Sequence, residues 1–435
     1  EKAGISQRGL NRLKRLAAFR NPEFYKAQAL RLPTYDKPRV ISCSDETPEY
    51  LCLPRGCEAD ARSLLDEAGV KVVSSDLTCS GRHIHVAFRG ELREDQIPAA
   101  EEMLKNDIGV LSATTAFGKT VIAARLIAER KVSTLVLTHR RQLLTQWTTK
   151  LTEFLDIDES LPLPEKKRGR KRKQSLIGQI GAGQSRPSGI IDVAIMQSLN
   201  SDAEVKEWSK NYGMVIVDEC HHVSAFSFEQ ILKGVHSKYV YGLTATPTRQ
   251  DGHHPIIFMH CGPIRYRVDA KKQAEARPFD HYVIPRLTRF RTPMEGGGKE
   301  PSIQQLYTAM SVNEPRNDRI VEDVVRCFQN GGNALVLTER TAHVAVLAEK
   351  VREQIPEVIA LTGSKGAKET REALAKVAQA TTDRPLTLIA TGRYIGEGFD
   401  EPRLDTLFLA MPISWKGTLQ QYAGRLHRLY EGKRE

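Results

Sequence analysis

The sequence has no apolar run near the ~20 residues that a membrane-spanning helix needs, so we expect no transmembrane helix. It begins EKAGISQRGL, without a methionine or a signal-peptide core, which predicts a fragment of a cytoplasmic protein. The seven cysteines form no CxxC pair and have no nearby His-x-x-x-His partner. We interpret them as reduced, mostly buried thiols, with a zinc site at Cys43, Cys52 and Cys57 as the weaker alternative.

The amino-acid composition is typical of a globular protein with an excess of basic residues. At 435 residues the chain is too long for one core, which predicts about two to three domains. Hydrophobic residues make up 40% and charged residues 27%, close to the soluble average. The net charge of +11 favours a polyanionic partner, although basic proteins are common and charge alone is weak support.

Strand and helix patterns divide the chain into three regions. Residues 1–88 predict a small α+β domain, with a helix-Gly-strand pattern in ARSLLDEAGVKVV and an alternating strand in HIHVAF. Residues 89–276 alternate apolar strands with helices, which predicts a parallel sheet covered on both faces. The same alternation restarts at VIPRLTRF and fills residues 277–435, a second lobe that we expect to be truncated. Residues 268–281 are the predicted hinge.

Two segments interrupt the alternation. LPLPEKKRGRKRKQ, residues 161–174, is dense in Lys and Arg and lacks apolar periodicity, which predicts a loop. A solvated charge run and a nucleic-acid contact are equal alternatives for its basic residues 166–173. MEGGGKEP, residues 294–301, predicts a glycine-rich loop.

ATTAFGKT, residues 113–120, meets the phosphate-loop pattern G-x-x-x-x-G-K-[ST] except that Ala113 replaces the first glycine. In such a loop backbone amides cradle phosphates, Lys119 reaches the β and γ phosphates, and Thr120 ligates Mg²⁺. A strand pattern precedes the loop and a helix pattern follows it, which favours this interpretation over a chance GKT in a turn. The predicted cofactor-binding residues here are Thr115, Ala116, Phe117, Gly118, Lys119 and Thr120.

VIVDECHH, residues 215–222, is an apolar strand pattern that ends at two carboxylates. Asp218 would hold Mg²⁺ through water, and Glu219 would orient and deprotonate the attacking water. The alternative is a carboxylate pair that caps a helix beginning near His222. For His221 we favour a coupling role beside the γ-phosphate over a zinc ligand, because adjacent histidine side chains diverge.

QQYAGRLHR, residues 420–428, contains Arg425 and Arg428, which are three residues apart. On a helix they would share one face and could converge on one anion, where an arginine stabilises transition-state charge. The alternative is a surface helix with two solvated arginines.

With these motifs in order, residues 92–428 resemble the superfamily 2 helicases and translocases. The resemblance implies two RecA-like parallel-sheet lobes in tandem, preceded by the small N-terminal domain. LREDQ, LTHRRQLLTQW, DVAIMQSL, LTATP, NALVLTERTAHV and IATGRYIGEGFDEP match further motifs of the family. The resemblance implies nucleotide contacts from Arg93, Gln96, Gly398 and Asp400. It implies nucleic-acid contacts from Thr138, Arg140, Gln197, Thr362 and Thr391.

DECH followed by TATPTRQD resembles the branch that holds the XPB repair translocase and the motors of type I and type III restriction enzymes. Arg249-Gln250-Asp251 is similar to the Arg-Glu-Asp element of XPB-like proteins, with glutamine in place of the central acid. FRNPEFYKAQALRLPTYDKPRVI and YLCLPRG resemble the N-terminal part of bacterial conflict-system helicases, some of which are fused to primases or nucleases.

We therefore expect an ATP- and Mg²⁺-dependent helicase or translocase that moves 3′→5′ on single-stranded or duplex DNA, with DNA preferred to RNA. The expected setting is DNA repair, replication or anti-phage defence, as a monomer with a fused or associated primase or nuclease. One alternative is a motor subunit that pumps duplex DNA without separating strands, and another is an ATP-gated clamp. The segment QQYAGRLHR, which matches motif VI of the family, and the phosphate loop belong to different lobes, so we expect a complete ATPase only when the lobes close.

Overall fold

The computed structural model describes residues 1–161, 175–181, 183–201, 209–221, 225–249, 251–275, 278–292, 301–363, 367–380, 384–395, 399, 401–413, 415–428, 430 and 433. The basic run 166–173 lies outside the described residues. The chain divides into two compact units, Glu1–Asp269 and Ala270–Glu435, and the division falls in the predicted hinge. Residues 1–88 belong to the first unit by this division, and their status as a separate domain stays a prediction.

The N-terminal region of the first unit is built from short elements. They are α1 Gln7–Leu16, β1 Ala18–Arg20, α2 Pro22–Ala29, β2 Val40–Ser42, β3 Asp45–Glu46, β4 Leu51–Cys52, α3 Glu58–Glu67 and β5 Val86–Phe88. β1 pairs with β2 and β3 with β4, both antiparallel. The strand predicted after Gly69 is wrong, because the described residues 70–77 form no strand.

The rest of the first unit is a sheet of eight strands in the order β10-β9-β11-β7-β12-β13-β6-β14, in which only β9 and β10 are antiparallel. Its strands are β6 Ile108–Ser112, β7 Thr134–Thr138, β9 Ile177–Gly181, β10 Gln184–Arg186, β11 Ile191–Ile195, β12 Met214–Asp218, β13 Tyr239–Thr244 and β14 Ile264–Arg267. β8, Leu155–Ile157, pairs with β5 outside this sheet. The helices are α4 Ile97–Leu104, α5 Lys119–Arg130, α6 Arg141–Phe154, α7 Met196–Ser201, α8 Ala225–Lys233 and α9 Pro255–Cys261.

Two apolar clusters cover the two faces of this sheet. Ile122 of α5 and Trp147 of α6 pack on one face, together with alternate residues of the central strands such as Ile216. Phe228 of α8 and Ile257 of α9 pack on the other. Because both faces are covered, every residue of β7, β11 and β12 is buried, which explains why these strands are mostly apolar. The exception inside a strand is Asp192 of β11, whose buried carboxylate accepts from the Tyr212 hydroxyl at 2.5 Å.

The second unit contains a four-stranded sheet in the order β16-β17-β15-β18, with every pairing parallel. Its strands are β15 Ala334–Thr338, β16 Val358–Leu361, β17 Thr387–Thr391 and β18 Thr406–Leu409. Its helices are α10 Ala270–Glu275, α11 Ile303–Ser311, α12 Glu314–Gln329, α13 Thr341–Arg352, α14 Ala367–Gln379, α15 Gly392–Ile395 and α16 Lys416–Leu426. The predicted α/β class, with a parallel sheet in each unit, is confirmed.

The strand predicted at VIPRLTRF is wrong. The described residues 281–292 contain no strand, and the side chains of Val283 and Leu287 are 93% and 95% exposed. Arg286 in this segment forms an ion pair with Asp323 of α12, 2.8 Å from its Oδ2. Among the described helices, none combines the length and apolar character needed to cross a membrane.

Candidate nucleotide-binding and catalytic site

The candidate site lies at the carboxyl edge of the large sheet. Thr138, Asp218, Thr244 and Ser112 end β7, β12, β13 and β6, which are consecutive neighbours in the sheet. The carboxyl ends of parallel strands are where open α/β sheets bind ligands. The polar residues that end these apolar strands are therefore gathered at one edge.

The phosphate loop connects β6 to α5. A single 3₁₀ turn, Thr115–Phe117, leads to Gly118, whose φ of 91° and ψ of 41° lie in the left-handed region. A Cβ at Gly118 would lie 2.5 Å from the Nε2 atom of Gln96, so the site requires glycine on grounds of both conformation and space. α5 begins at Lys119 and has twelve residues, so its N-terminal amides and dipole face the loop. This geometry fits a bound phosphate.

Gln96 and Arg93 both hydrogen-bond to the backbone of the phosphate loop. The Nε2 atom of Gln96 donates to the Phe117 carbonyl at 2.6 Å, and Nη2 of Arg93 donates to the same carbonyl at 2.7 Å. The backbone amide of Arg93 donates to Oε1 of Gln96 at 3.0 Å. The Gln96 side chain, 1% exposed, therefore fixes the loop backbone, and its role in reading a base stays a prediction.

Lys119 joins the two motifs that the sequence separates by almost one hundred residues. Its buried Nζ lies 3.1 Å from Oε1 of Glu219 and donates to the carbonyl of Ala113 at 3.3 Å. The phosphate loop and the carboxylate pair therefore form one site within the first unit.

Asp218 is held by two donors, one on each carboxylate oxygen. The backbone amide of Glu219 donates to Oδ1 at 3.0 Å, and the indole Nε1 of Trp147 donates to Oδ2 at 2.6 Å. Burial raises the pKa of Asp218 and the neighbouring Glu219 carboxylate adds to the rise, while Lys119 and the Trp147 hydrogen bond oppose it. Trp147 was not predicted from the sequence, where it is one apolar residue of an amphipathic helix.

Glu219 has a φ of 44°, which is uncommon for a residue other than glycine. Such backbone conformations cluster at functional sites, where the surrounding structure holds them. Its Oε2 atom lies 3.4 Å from Nδ1 of His221, and that nitrogen lies 2.7 Å from the Thr244 hydroxyl. His221 thus stands between the carboxylate at the end of β12 and the threonine at the end of β13.

The Arg-Gln-Asp element is hydrogen-bonded to this network through Arg249. The side chain of Arg249 is 10% exposed, and its Nη1 donates to the His221 carbonyl at 2.8 Å. Its Nε donates to Oδ1 of Asp251 at 2.9 Å. Although burial acts in the opposite direction, this arginine and the amide of His253 hold the pKa of Asp251 well below its usual range. Gln250 lies outside the described residues.

The donor set at this edge fits a magnesium ion. Thr120 at the start of α5 and Asp218 at the end of β12 would hold the ion through a hydroxyl and a carboxylate oxygen, the hard ligands that Mg²⁺ prefers, with phosphates and water as the remaining ligands. In the part of the chain that the structure describes, no group of three or more His, Cys, Asp and Glu could hold a metal ion, so a zinc cluster has no support there.

The predicted nucleic-acid residues of the first unit lie at the same edge with different exposure. The Thr138 hydroxyl is buried and donates to the Ala194 carbonyl at 3.3 Å. Arg140 is half-buried at the N-terminus of α6, and Gln197 is exposed on α7. A nucleic-acid strand could therefore reach Arg140 and Gln197, whereas the Thr138 hydroxyl is enclosed.

In the second unit, Thr391 ends β17 and Thr362 directly follows β16, both buried at the carboxyl edge of the small sheet. The nucleic-acid contacts predicted for these two threonines stay predictions. Gly398 and Asp400, the predicted nucleotide contacts in the segment IATGRYIGEGFDEP, lie outside the described residues.

The two arginines of motif VI do not share a helix face, and that prediction is wrong. α16 ends at Leu426, so Arg428 lies beyond the helix, whereas Arg425 lies within it. Arg425 is buried and its Nη1 donates to the Phe399 carbonyl at 2.6 Å. Lys433 donates to the carbonyls of Leu426 at 2.6 Å and Arg428 at 3.3 Å, and so fixes the backbone that carries Arg428.

The phosphate loop and the carboxylate pair fall within a segment that matches a known protein family. The profile of the family described as "Type III restriction enzyme, res subunit" matches residues 89–249. The chain is 26% identical over 376 residues to the DNA 3'-5' translocase XPB2 of Sulfurisphaera tokodaii, covering 79% of each chain. It is 25% identical over 344 residues to the probable helicase D10 of Escherichia phage T5, covering 78% of this chain and 68% of that protein.

The matched domain, residues 89–249, belongs to the superfamily 2 helicases and translocases. Within them it falls in the branch of XPB-like proteins and restriction-enzyme motors. A solved structure of the type ISP restriction-modification enzyme LlaBIII bound to DNA shares its fold, with a TM-score of 0.51 and 15% identity over 79% of this chain and 27% of that one. As a superfamily 2 enzyme, the chain hydrolyses ATP to drive translocation on nucleic acid.

Proposed function

We propose that this superfamily 2 enzyme is a Mg²⁺-dependent DNA motor that moves 3′→5′ along one strand. The observation that carries the proposal is the buried contact between Lys119 and Glu219, with Asp218 beside them, at one sheet edge. The net charge of +11 supports a polyanionic track. The similarity to a relative named as a DNA 3'-5' translocase supports DNA and the direction.

In this proposal each side chain at the edge has one task. Lys119 and the amides at the start of α5 bind the phosphates, and Asp218 with Thr120 would hold Mg²⁺. The bound ion supplies positive charge that offsets the charge on the transferred phosphoryl group. Glu219, held near Lys119 and His221, orients the attacking water and takes its proton.

The DNA strand is proposed to lie across the carboxyl ends of β7 and β11. Arg140 follows β7 and Gln197 follows β11 in the sequence. Side chains of this kind contact phosphates and carry no base information directly, which suits a motor that works on any sequence. The Arg425 and Arg428 roles on the nucleotide are proposals from motif VI.

Pumping of duplex DNA without strand separation is the second candidate, and one observation favours it. The Arg249 side chain, 10% exposed, is occupied by Asp251 and by the His221 carbonyl. An arginine enclosed in this way does not project into solvent as an element that wedges between strands would.

The deciding experiment compares ATP hydrolysis with single-stranded DNA, duplex DNA and RNA, followed by displacement of a strand from duplexes with 3′ or 5′ tails. Lys119→Ala serves as the inactive control. We expect stimulation by DNA with little sequence preference, and displacement only from 3′ tails. Displacement only from 5′ tails would overturn the direction, and stimulation by RNA alone would overturn the substrate. Stimulation with no displacement, but with removal of a triplex-forming third strand, would establish the duplex pump.

We further propose that the motor is a monomer. On the basis of the N-terminal resemblance, we propose that it serves an attached primase or nuclease. Light scattering with and without DNA tests the monomer. Affinity purification of the full-length protein, with nuclease and primer-synthesis assays on the eluate, tests the attached activity.

A further inference from the structure

The indole of Trp147 makes a buried contact in the first unit that the proposed function does not explain. Its Nε1 atom donates to Oδ2 of Asp218 at 2.6 Å, across 71 residues of sequence. Trp147 is 2% exposed and Asp218 is 6% exposed, so water does not compete for this hydrogen bond. Hydrogen bonds to a carboxylate are shorter and stronger than neutral ones, and those in a dry site more so.

The contact fixes the orientation of the carboxylate. An indole has one N–H and cannot accept, so it commits to a single oxygen. The amide of Glu219 holds the other oxygen at 3.0 Å. With one donor on each oxygen, the carboxylate plane cannot rotate without breaking a buried hydrogen bond. The remaining lone pairs are thereby aimed in fixed directions.

Through Trp147, the position of Asp218 also depends on the position of α6. Leu143, Leu144 and Leu151 bury the same face of this helix, and the Thr148 hydroxyl accepts from Nε2 of Gln179 in β9 at 2.9 Å. The helix starts directly after Arg140, about 10 Å along the axis from Trp147 at 1.5 Å per residue. One packed helix therefore joins a proposed strand-contact residue to a proposed metal ligand.

We propose that Trp147 is a positioning residue that orients Asp218 for Mg²⁺ and transmits displacement of the N-terminus of α6 to the metal site. The inference rests on the proposed function of Asp218 as a magnesium ligand. Residues that hydrogen-bond to a metal ligand typically contribute 10–100-fold in metal affinity or activity. The indole N–H fulfils that role here, and no other indole in the described residues contacts this carboxylate.

The test is Trp147→Phe, which keeps an aromatic ring in the core and deletes the N–H. Binding of a fluorescent ATP analogue is titrated with Mg²⁺ and repeated in EDTA, and ATP hydrolysis is titrated with Mg²⁺ with and without DNA. We expect the Mg²⁺ concentration for half-maximal binding to rise about 10-fold or more. Binding in EDTA should stay at the wild-type level, and DNA stimulation should fall.

Leu151→Val is the matched control, since Leu151 is buried one turn further along the same helix face and does not contact Asp218. It should lower the melting temperature without shifting the Mg²⁺ dependence. A wild-type Mg²⁺ dependence in Trp147→Phe would overturn the inference if Asp218→Ala shifts it. If Asp218→Ala also leaves it unchanged, the proposed metal ligand itself is wrong.

A second measurement covers failure of Trp147→Phe to fold. The sequence has three tryptophans, so Trp208→Phe with Trp415→Phe leaves Trp147 as the single indole. Its emission should change when Mg²⁺ is added to the ADP-bound protein and should not change with ADP in EDTA. An emission that is insensitive to Mg²⁺ would contradict the proposed connection.

Discussion

Gly118→Ala tests the phosphate loop through a geometry that only glycine satisfies. The left-handed backbone costs an alanine about 1–2 kcal/mol. The new Cβ would also lie 2.5 Å from Nε2 of Gln96, which would have to move and lose its hydrogen bond to the Phe117 carbonyl. Leaving that buried amide without its partner costs a further ~1–3 kcal/mol. We therefore expect a loss of about 2–5 kcal/mol in the free energy of unfolding of the first unit.

The matched control is Gly69→Ala in the same unit. Gly69 has a φ of 70°, and nothing lies within 4 Å of the position its Cβ would take. It should therefore lose only the conformational ~1–2 kcal/mol. The double variant Gly118→Ala with Gln96→Ala should lose less than the sum of the single variants, because both break the same hydrogen bond.

Urea unfolding followed by circular dichroism measures stability, and anisotropy of a fluorescent ATP analogue measures binding. We expect Gly118→Ala to weaken ATP binding by ~10- to 100-fold, which corresponds to one or two lost hydrogen bonds to phosphate. Gly69→Ala should bind normally. Wild-type ATP affinity in Gly118→Ala would refute the assignment of the loop, and equal loss of affinity in both variants would show a general effect of destabilisation.

The remaining predictions concern hydrolysis. Glu219→Gln should abolish hydrolysis and still bind ATP, because Asp218 remains, and single-turnover hydrolysis at the wild-type rate would overturn Glu219 as the base. Lys119→Ala should abolish DNA-stimulated hydrolysis with an unchanged circular dichroism spectrum. Arg428→Ala should lower kcat by ~10³ with a much smaller change in ATP binding. A raised KM at unchanged kcat would instead show that Arg428 contributes uniform binding.

The strands that carry the site were predictable because a parallel sheet covered on both faces leaves a simple pattern. β6, β12 and β13 are apolar along their length and end at a polar residue, since the chain leaves the core only at the sheet edge. From the order of these strands the phosphate loop and the carboxylate pair could be expected at one edge.

The failures have a common physical reason, which is that local pattern does not specify tertiary partners. Residues 283–290 alternate like a strand, yet Val283 and Leu287 are exposed and unpaired with any described strand. The hydrogen bond from Trp147 to Asp218 depends on how α6 packs beside β12, and periodicity gives only the buried face of that helix. The end of α16 at Leu426 depends likewise on local termination that arginine spacing does not reveal.

The N-terminal region contacts the rest of the first unit at the residues that follow β13. The rings of Phe19 and His253 are 6.1 Å apart, edge to face. A Cβ on Gly252, whose φ is 78°, would lie 2.6 Å from Cγ of Pro22, so the two backbones approach closely. The amide of His253 in turn donates to Oδ1 of Asp251 at 3.0 Å. This interface is therefore directly bonded to the Arg-Gln-Asp element.

From Asp251 the connection reaches Glu219, the proposed catalytic base, through Arg249 and His221. Arg249 bridges Asp251 and the His221 carbonyl, and Nδ1 of His221 lies 3.4 Å from Glu219. The Arg249 side chain is 10% exposed and hydrogen-bonds to both Asp251 and the His221 carbonyl, so we expect a displacement of Asp251 to reach the backbone of His221 through this arginine. Substitutions at the N-terminal interface can therefore change hydrolysis without touching nucleotide. A kinetic defect caused by such a substitution is then no evidence that the N-terminal region itself binds DNA.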